Sequence, residues 1–245
     1  MPTKPILSTK DISYVYRNEE TGERLDVLKN ISFDVYPGEF VSIIGPSGCG
    51  KSTLLKILTD LIELKKKNVI SNSKEISMVF QNFALFPWLT VHENIAFGLK
   101  MKGVPKAERN KIVMEKIQEV ELSGFEHKYP YELSGGMKQR VGIARALAVS
   151  PDLLYMDEPF SSLDALTAER LRGMLMGIWL KYKMTVVMVT HLVEEAVELS
   201  DRVIIFSQRP AYVKKILEIK MERPRNKRSK EYYDLVDAIE SQIER

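Results

Sequence analysis

Residues 45 to 53 read GPSGCGKST, which matches the spacing G-x-x-x-x-G-K-[ST]. The stretch follows the short apolar run FVSIIG and precedes a helical pattern that begins at Lys51, the context in which this spacing forms a phosphate-binding loop. Its glycines allow backbone N–H groups to point at phosphate oxygens, Lys51 neutralises the β and γ phosphates, and Ser52 offers a hydroxyl to Mg²⁺. The predicted contacts are Gly45, Pro46, Ser47, Gly48, Cys49, Gly50, Lys51, Ser52 and Thr53.

A second acidic element lies in DLLYMDEPFSSLD. Asp157 falls at the carboxyl end of an apolar strand, where α/β sheets place their ligands, and there it can hold Mg²⁺. Glu158 is its neighbour, and successive side chains on a strand point in opposite directions. Two adjacent carboxylates can therefore serve two purposes, one for the metal and one for a water molecule. An acidic pair before proline by itself often only ends a strand.

The stretch LSGGMKQR, residues 133 to 140, predicts a second cradle for an anion. Ser134 precedes Gly135 and Gly136 at the start of an apolar, alanine-rich helix, and a capping hydroxyl with bare backbone N–H groups suits phosphate. One nucleotide does not need two cradles from one chain.

Three further residues have ordinary structural interpretations when each is judged alone. Gln81 follows the apolar run EISMVF and would usually be a solvated loop residue. His191 closes TVVMVT and would more often be structural than catalytic, and Cys49 is interpreted as a tolerated small residue of the loop and not a redox centre.

Alternating apolar residues in DISYVY and LKNISFDVY predict an N-terminal hairpin. The continuous apolar runs FVSIIG, EISMVF, DLLYM, TVVMVT and DRVIIFS predict a parallel sheet covered by helices, with helical patterns beginning at Lys51, Ala165 and Val193. Residues 82–149 contain helical patterns and no clear strand, which indicates an inserted helical lobe. The tail MERPRNKRSK is a basic linker before the amphipathic segment EYYDLVDAIESQIER.

Composition is that of a folded globular protein, with 44% hydrophobic and 28% charged residues. A net charge of +3 does not argue for nucleic acid, and one cysteine excludes an intramolecular disulfide. No apolar run approaches bilayer length and the N-terminal residues lack a signal core, so we expect a protein that is neither exported nor membrane-spanning.

Taken together, these motifs resemble the nucleotide-binding subunit of ABC transporters. The resemblance covers residues 6 to 220 and has six parts in order: the P-loop 45–53, Gln81 as the Q-loop, residues 133–139 as the signature, Asp157 and Glu158 as Walker B with the general base, residues 161–164 as the D-loop, and His191 as the switch histidine. Tyr16 matches the aromatic residue that stacks on adenine in this family.

The resemblance implies an α/β fold: a RecA-like P-loop NTPase core with N-terminal antiparallel β elements and an inserted α-helical subdomain. One nucleotide-binding domain would span residues 1–220, with the helical subdomain at about 82–149, and residues 221–245 would form a basic linker and a C-terminal helix.

The same resemblance explains the second cradle. In this family two copies pair head to tail, and the signature of each closes over the γ-phosphate held by the P-loop of the other. Ser134, Gly135, Gly136 and Gln139 would then contact ATP in trans. Glu158 would polarise the attacking water, His191 would contact the γ-phosphate, and Asp164 would support the dimer contact. Mg²⁺ would be held by Ser52, Gln81 and Asp157, with Lys51 and Gln81 among the catalytic residues.

Finer features resemble importer subunits of the nitrate, sulfonate, taurine and bicarbonate group, among them NFALFPWLTVHENIAFGLK and YPYELSGGMKQR. The implied partners are a second copy of this chain, integral membrane permease subunits and, indirectly, an extracytoplasmic solute-binding protein, with no nucleic acid. The implied location is peripheral, on the cytoplasmic face of the membrane. Phe86, Pro87 and Trp88 lie where the family receives a short permease helix, although ordinary lobe core explains that aromatic patch equally well.

The sequence departs from the family pattern at three positions. Asp60 takes a glycine position, and the segment after it is short and lacks glycine and proline, so the small β-subdomain is expected to be trimmed. Leu192 stands where an aspartate usually follows the switch histidine, and Tyr131 replaces a common histidine before the signature. Lys65, Lys66 and Lys67 are interpreted as a solvated run.

Two alternative function classes remain. A soluble ABC protein acting on nucleic acid or ribosomes would usually carry paired cassettes, long coiled coils or zinc modules, which this sequence lacks. A G protein or small-molecule kinase would share only the P-loop. This chain has no N-K-x-D motif for base recognition, and such a protein would leave the signature unexplained.

Overall fold

The architecture is that of a computed structural model, which describes residues 4–17, 21–64 and 68–243. Two compact units divide the chain: residues 1–73 with 185–245 form the first, and residues 74–184 form the second. The elements in the described ranges are β1 (Leu7–Arg17), β2 (Arg24–Val35), β3 (Phe40–Ile44), α1 (Lys51–Leu58), β4 (Val69–Ser71), β5 (Ile76–Val79), α2 (Val91–Met101), α3 (Lys106–Glu119), α4 (Gly135–Ala148), β6 (Leu153–Asp157), α5 (Ala165–Tyr182), β7 (Thr185–Thr190), α6 (Val193–Leu199), β8 (Arg202–Phe206), β9 (Val213–Glu218) and α7 (Lys230–Ile243).

The first unit contains the predicted N-terminal hairpin. Strands β1 and β2 pair antiparallel from Leu7 opposite Val35 to Arg17 opposite Arg24, and β4 pairs with the other edge of β1. Register shifts interrupt the hairpin on both sides of Ile12, so the alternation predicted along β1 is broken by local irregularities. The prediction of antiparallel elements at the N-terminus is confirmed.

A mostly parallel sheet forms the centre of the first unit, with β3 between β7 and β8. All residues of β3 and β7 are buried, as the continuous apolar runs predicted. Strand β9 adds antiparallel to β8. The sequence did not predict β9, because its two lysines give it the polarity of a half-exposed edge strand.

The segment after α1 is short, as expected. Asp60 adopts a left-handed backbone with φ of 57°, a conformation that glycine or aspartate tolerates best. Between α1 and β5, β4 is the only strand among the described residues. Residues 65–67, the predicted solvated lysine run, lie outside the described part of the chain.

The second unit pairs β5 parallel with β6 and otherwise consists mainly of helices. Residues 82–149, all of which the structure describes, contain α2, α3, a 3₁₀ turn at Pro130–Glu132 and α4, and no strand. The predicted helical content of this stretch is therefore confirmed. Helix α2 begins with a capping box, in which the Thr90 hydroxyl accepts from the Glu93 N–H and the Glu93 carboxylate accepts from the Thr90 N–H.

The predicted C-terminal helix is α7, and its Tyr232, Val236 and Ile239 are buried. Within the described residues, no helix is both long enough and apolar enough to cross a membrane.

Candidate functional site

The P-loop joins the end of β3 to the first residue of α1. Gly48 and Gly50 have φ values of 73° and 121°, which L side chains rarely adopt. A Cβ on Gly50 would also lie 2.7 Å from Cγ1 of Val27. Both backbone conformation and space therefore require glycine at position 50, as the motif predicts.

Lys51 is 5% exposed, and its ammonium group lies against the loop itself. Nζ donates to the carbonyl of Gly45 at 2.8 Å and to that of Pro46 at 3.1 Å. The loop therefore surrounds a fixed positive charge, which suits the phosphates of a nucleotide. Ser52 and Thr53 follow in the first turn of α1 and are half-buried.

Cys49 occupies the interior side of the same loop and is 2% exposed. Burial raises the pKa of its thiol, although nearby Lys51 acts in the opposite direction. A buried thiol with a raised pKa is a poor nucleophile, in accord with the interpretation of Cys49 as a packing residue.

Tyr16 and His191 also belong to the first unit. Tyr16 is 39% exposed near the end of β1, and its ring meets that of Tyr14 edge-on with centroids 4.9 Å apart. His191 is exposed directly after the buried strand β7. The Thr190 hydroxyl accepts from the N–H of Leu192 at 3.1 Å and donates to Glu195 Oε2 at 2.6 Å. Leu192 itself makes no side-chain cap to the helix that follows.

The acidic pair lies in the second unit. Asp157 ends β6 and is 8% exposed, whereas Glu158 follows the strand with a left-handed φ of 44°. The sequence suggested that strand alternation sets the direction of the Glu158 side chain. The structure shows that a turn sets it instead. A left-handed glutamate costs on the order of 1–3 kcal/mol, and such strain is concentrated at functional sites.

The structure brings Gln81 and the D-loop to Glu158. Gln81 Nε2 lies 3.5 Å from Glu158 Oε2 and 3.3 Å from Ser161 Oγ. The Ser161 hydroxyl in turn donates to the Glu158 carbonyl at 3.0 Å. The predicted general base thus contacts the predicted Q-loop residue. Asp164 caps α5, and its carboxylate accepts from the N–H of Thr167 at 3.0 Å.

The signature forms the predicted helix start. Ser134 is the exposed N-cap of α4, and its hydroxyl accepts from the N–H of Met137 at 3.3 Å. A Cβ on Gly136 would lie 2.5 Å from Cγ2 of Thr167, whereas a Cβ on Gly135 would have ordinary space. Glycine is required at position 136 by the packing of α4 on α5.

Gln139 differs from the other signature residues because its side chain is fully buried. Within the described residues, its amide nitrogen and oxygen both lack a hydrogen-bond partner. A fully buried amide has no surface open to a nucleotide held by another subunit in this conformation, and the predicted contact of Gln139 in trans stays a prediction.

Arg145 and Asn94 were missed by the sequence interpretation. Arg145 donates to the carbonyls of Phe83 at 3.1 Å and Ala84 at 2.7 Å, two Q-loop residues with positive φ. Asn94 donates to the carbonyls of Phe86, Leu89 and Thr90. Polar residues on the apolar faces of α4 and α2 are the sequence signal that could have identified them.

An exposed aromatic patch follows Gln81. Trp88 is 69% exposed, and its ring centroid lies 5.7 Å from that of Phe86. Phe86 also packs on Phe97 with centroids 4.5 Å apart. Phe86 therefore belongs partly to the core of the helical lobe, and Trp88 belongs to its surface.

Comparison with known proteins decides the family. The ABC transporter family model matches residues 28–161. An uncharacterized ABC transporter ATP-binding protein of Methanocaldococcus jannaschii is 48% identical over 223 residues, which are 88% of this chain and 84% of that relative. The chain belongs to the ABC transporter family. It is an ATPase subunit of the kind that this family couples to transport.

Other relatives of this ABC subunit carry more specific names. The aliphatic sulfonates import ATP-binding protein SsuB of Bacillus cereus is 43% identical, with 94% of this chain and 92% of that relative covered. The nitrate transport protein NasD of Klebsiella oxytoca is 42% identical, with 91% and 89% covered.

A solved structure supports the fold of the ABC subunit. The ATP-binding cassette MJ0796, in a dimeric post-hydrolysis state bound to ADP and Pi, matches with a TM-score of 0.77 and 33% identity, covering 88% of this chain and all (100%) of that chain. The predicted P-loop NTPase fold is confirmed.

By their chemistry alone, the residues predicted to hold Mg²⁺ in this ABC subunit offer the oxygen ligands that this ion prefers. Among the residues that the structure describes, no three His, Cys, Asp or Glu side chains form a metal site by themselves. Mg²⁺ is commonly bound by one or two protein oxygens, with phosphates and water completing its octahedron. The Ser52 hydroxyl and the Asp157 carboxylate are oxygen donors of that kind.

Proposed function

We propose that this chain is the ATP-hydrolysing subunit of an importer for a small oxyanion or organic acid. The observation that carries the proposal is the agreement among three relatives that match 94%, 91% and 79% of the chain: an aliphatic sulfonate importer subunit, a nitrate transport protein and a taurine importer subunit, at 43%, 42% and 43% identity. Nitrate, sulfonate, taurine and bicarbonate are the candidate solutes.

The P-loop would bind the nucleotide through its backbone N–H groups and Lys51. The ammonium group already faces two carbonyl oxygens of the loop, so binding exchanges those partners for phosphate oxygens. Tyr16 would stack on the adenine ring. Ser52, Gln81 and Asp157 would hold Mg²⁺, which neutralises charge on the β and γ phosphates when bound.

Glu158 is the proposed general base for the attacking water. Its carboxylate contacts Gln81, so a ligand that reorients Gln81 also changes the surroundings of the base. His191 would donate to the γ-phosphate from the exposed end of β7. A positioned base contributes roughly 10²- to 10⁴-fold to such reactions.

Dimerisation would give the signature its role. Ser134 and the exposed start of α4 would contact the γ-phosphate held by a second copy, with Asp164 near the interface. Ser134 Oγ accepts from its own helix, which leaves its hydroxyl hydrogen for a phosphate oxygen. The dimeric state of the solved ADP- and Pi-bound cassette at 33% identity supports this arrangement.

Coupling to transport would pass through the surface beside Gln81. We place a permease contact at Phe86 and Trp88, because Trp88 is a large exposed aromatic residue adjacent to the Q-loop. The subunit would be peripheral on the cytoplasmic face of the membrane, and a solute-binding protein would act on the opposite side.

The test combines one purification and one variant. The wild-type chain, purified by affinity from gently solubilised native membranes, should bring a polytopic permease with it. Glu158→Gln should bind ATP with unchanged affinity, lose at least about 100-fold in turnover and accumulate as an ATP-bound dimer. The matched control is Glu115→Gln at an exposed position of α3, which should hydrolyse ATP normally.

Two results would contradict the proposal. Recovery of ribosomes or nucleic acid without a permease, from membranes in which other transporter complexes stay intact, would favour a soluble ABC switch. Normal turnover by Glu158→Gln would remove Glu158 from the role of base.

A further inference from the structure

Helix α6, which directly follows His191, is only seven residues long. Its N-cap residue, Leu192, makes no side-chain hydrogen bond to the backbone N–H groups of the first turn. Isolated helices of this length are unstable in water, so tertiary contacts must fix the position of α6.

The C-terminal tail supplies hydrogen bonds to the carbonyls of α6. Arg225 Nη1 donates to the Val197 carbonyl, Arg223 Nη2 donates to the Leu199 carbonyl at 2.8 Å, and Tyr232 Oη donates to the Glu194 carbonyl at 2.9 Å. Two of these carbonyls belong to the last turn, where the carbonyls lack N–H partners from within the helix and carry the negative end of the helix dipole.

Arg225 is the more enclosed of the two arginines, at 8% exposed. Its Nε donates to the Met221 carbonyl at 3.1 Å, so one guanidinium joins the tail to α6. Burial, followed by the positive charge of Arg223, lowers the pKa of Arg225 to about 10, which leaves it protonated at neutral pH. Arg223 also pairs with Asp201, and Lys227 pairs with Glu198 at 3.0 Å.

Apolar contacts complete the attachment. Side chains of α7 and α6 form one buried cluster with the last residue of β3, two residues of β8 and the residue that follows β9. Its buried members are Ile44, Val193, Ala196, Val197, Val203, Ile205, Ile219, Tyr232, Val236 and Ile239. The tail therefore packs with α6 and the strands of the sheet in one cluster.

The other end of α6 is linked to His191 through one hydroxyl group. Thr190 precedes the histidine, and its Oγ1 donates to Glu195 in the first turn of α6 and accepts from the Leu192 N–H. Thr190 is 1% exposed and Glu195 3% exposed, so this link is buried. A displacement of α6 would consequently move the backbone that carries His191.

We propose that residues 221–243, here called the C-terminal clamp, position His191 for catalysis by fixing α6, with Arg225 as the principal positioning residue. The proposal rests on the proposed function, because it assigns His191 to the γ-phosphate. Geometric errors of about 1 Å at a reacting group can cost on the order of 100-fold in rate.

The first test compares ATP turnover of full-length variants. Arg225→Gln should lower kcat about tenfold while KM for ATP changes less than about twofold, because the P-loop is not altered. Arg225→Lys, which retains the charge but concentrates its donors on a single ammonium nitrogen, should recover part of the loss. Arg228→Gln is the matched control, an exposed arginine of the same tail, and should behave as wild type.

A second readout does not depend on hydrolysis. The chain has three histidines, so the imidazole NMR signals of His191, His92 and His127 can be assigned by substitution. Arg225→Gln should shift or broaden the His191 signal and leave the other two in place. Tyr232→Phe, which removes one hydroxyl from the clamp and retains the ring, should cause a smaller change of the same kind.

The double variant separates positioning from general stability. In a His191→Ala background, Arg225→Gln should have less than about a twofold further effect on single-turnover hydrolysis, since residues acting as one unit are not additive. The proposal would be overturned if Arg225→Gln lowered the rate of hydrolysis equally with and without the His191→Ala substitution. It would also be overturned if Arg225→Gln lowered the melting temperature and left the His191 signal unchanged. Full activity of His191→Ala alone would instead refute the role of the histidine.

Discussion

Replacement of Gly136 by alanine tests whether the signature glycine is required by packing inside the subunit. The new Cβ would lie 2.5 Å from Cγ2 of Thr167, about 1 Å closer than an ordinary contact. Thr167 cannot easily retreat, because its N–H, at 3.0 Å, and its hydroxyl both hydrogen-bond the Asp164 carboxylate, which holds its backbone and its side-chain rotamer. Overpacking of this kind costs about 1–3 kcal/mol, and the better helix propensity of alanine returns up to about 1 kcal/mol.

The expected net loss is therefore about 1–2 kcal/mol. For a chain of this size it corresponds to a melting temperature lower by roughly 2–8 °C, measured by calorimetry without nucleotide. Adding Thr167→Ser should restore most of the loss, because serine lacks Cγ2 and keeps the hydroxyl. Gly135→Ala is the matched control, since its nearest contact would be 3.7 Å away, and it should not lower the melting temperature.

The packing argument fails if Gly136→Ala melts within about 1 °C of wild type. It fails equally if Thr167→Ser does not restore stability to the double variant. Either result would leave exposure to a second subunit as the reason for glycine at this position.

Three further changes test other parts of the structure. Gly50→Ala should abolish ATP binding, measured by titration calorimetry, because its Cβ meets Val27 at 2.7 Å with φ at 121°; unimpaired binding would contradict this. Arg145→Lys should raise amide hydrogen exchange at residues 81–86 several-fold, since Arg145 bonds the Ala84 and Phe83 carbonyls through two separate guanidinium nitrogens, a planar fork that a single ammonium nitrogen does not reproduce. Glu119→Gln should flatten the acid dependence of stability. Burial raises the pKa of Glu119, but hydrogen bonds from Lys116 and others outweigh this and lower the pKa from 4.5 to about 2. The carboxylate therefore contributes its full free energy of folding above pH 4.5 and loses this contribution as the pH falls toward about 2. An unchanged acid profile would refute that assignment.

The elements that sequence predicted well are those with a strong period or a strong motif. Buried strands such as β3 and β7 appear as continuous apolar runs, and α4 begins where a capping serine precedes two glycines. Residues that are neighbours in the sequence determine these features, so a single sequence was sufficient to predict them. Strand β9 was missed because pairing with β8, and not its own composition, makes it a strand.

The contacts that sequence could not predict join residues far apart in the chain. The Gln81–Glu158 contact spans 77 positions, and Arg225 reaches Val197 across 28. The left-handed turn at Glu158 also has no sequence signal, because glutamate rarely adopts it. Gln139 shows the converse: its place in the signature suggested an exposed contact, but the helix turns its side chain into the core.

The buried position of Cys49 has a practical consequence for labelling. It is the only cysteine in the chain, and thiol reagents such as maleimides need an accessible thiolate. A second cysteine introduced at an exposed position would therefore take up a fluorophore or spin label selectively, without mutating the phosphate-binding loop. Distances between two labelled copies could then test the proposed nucleotide-driven closure of two copies in an otherwise native protein.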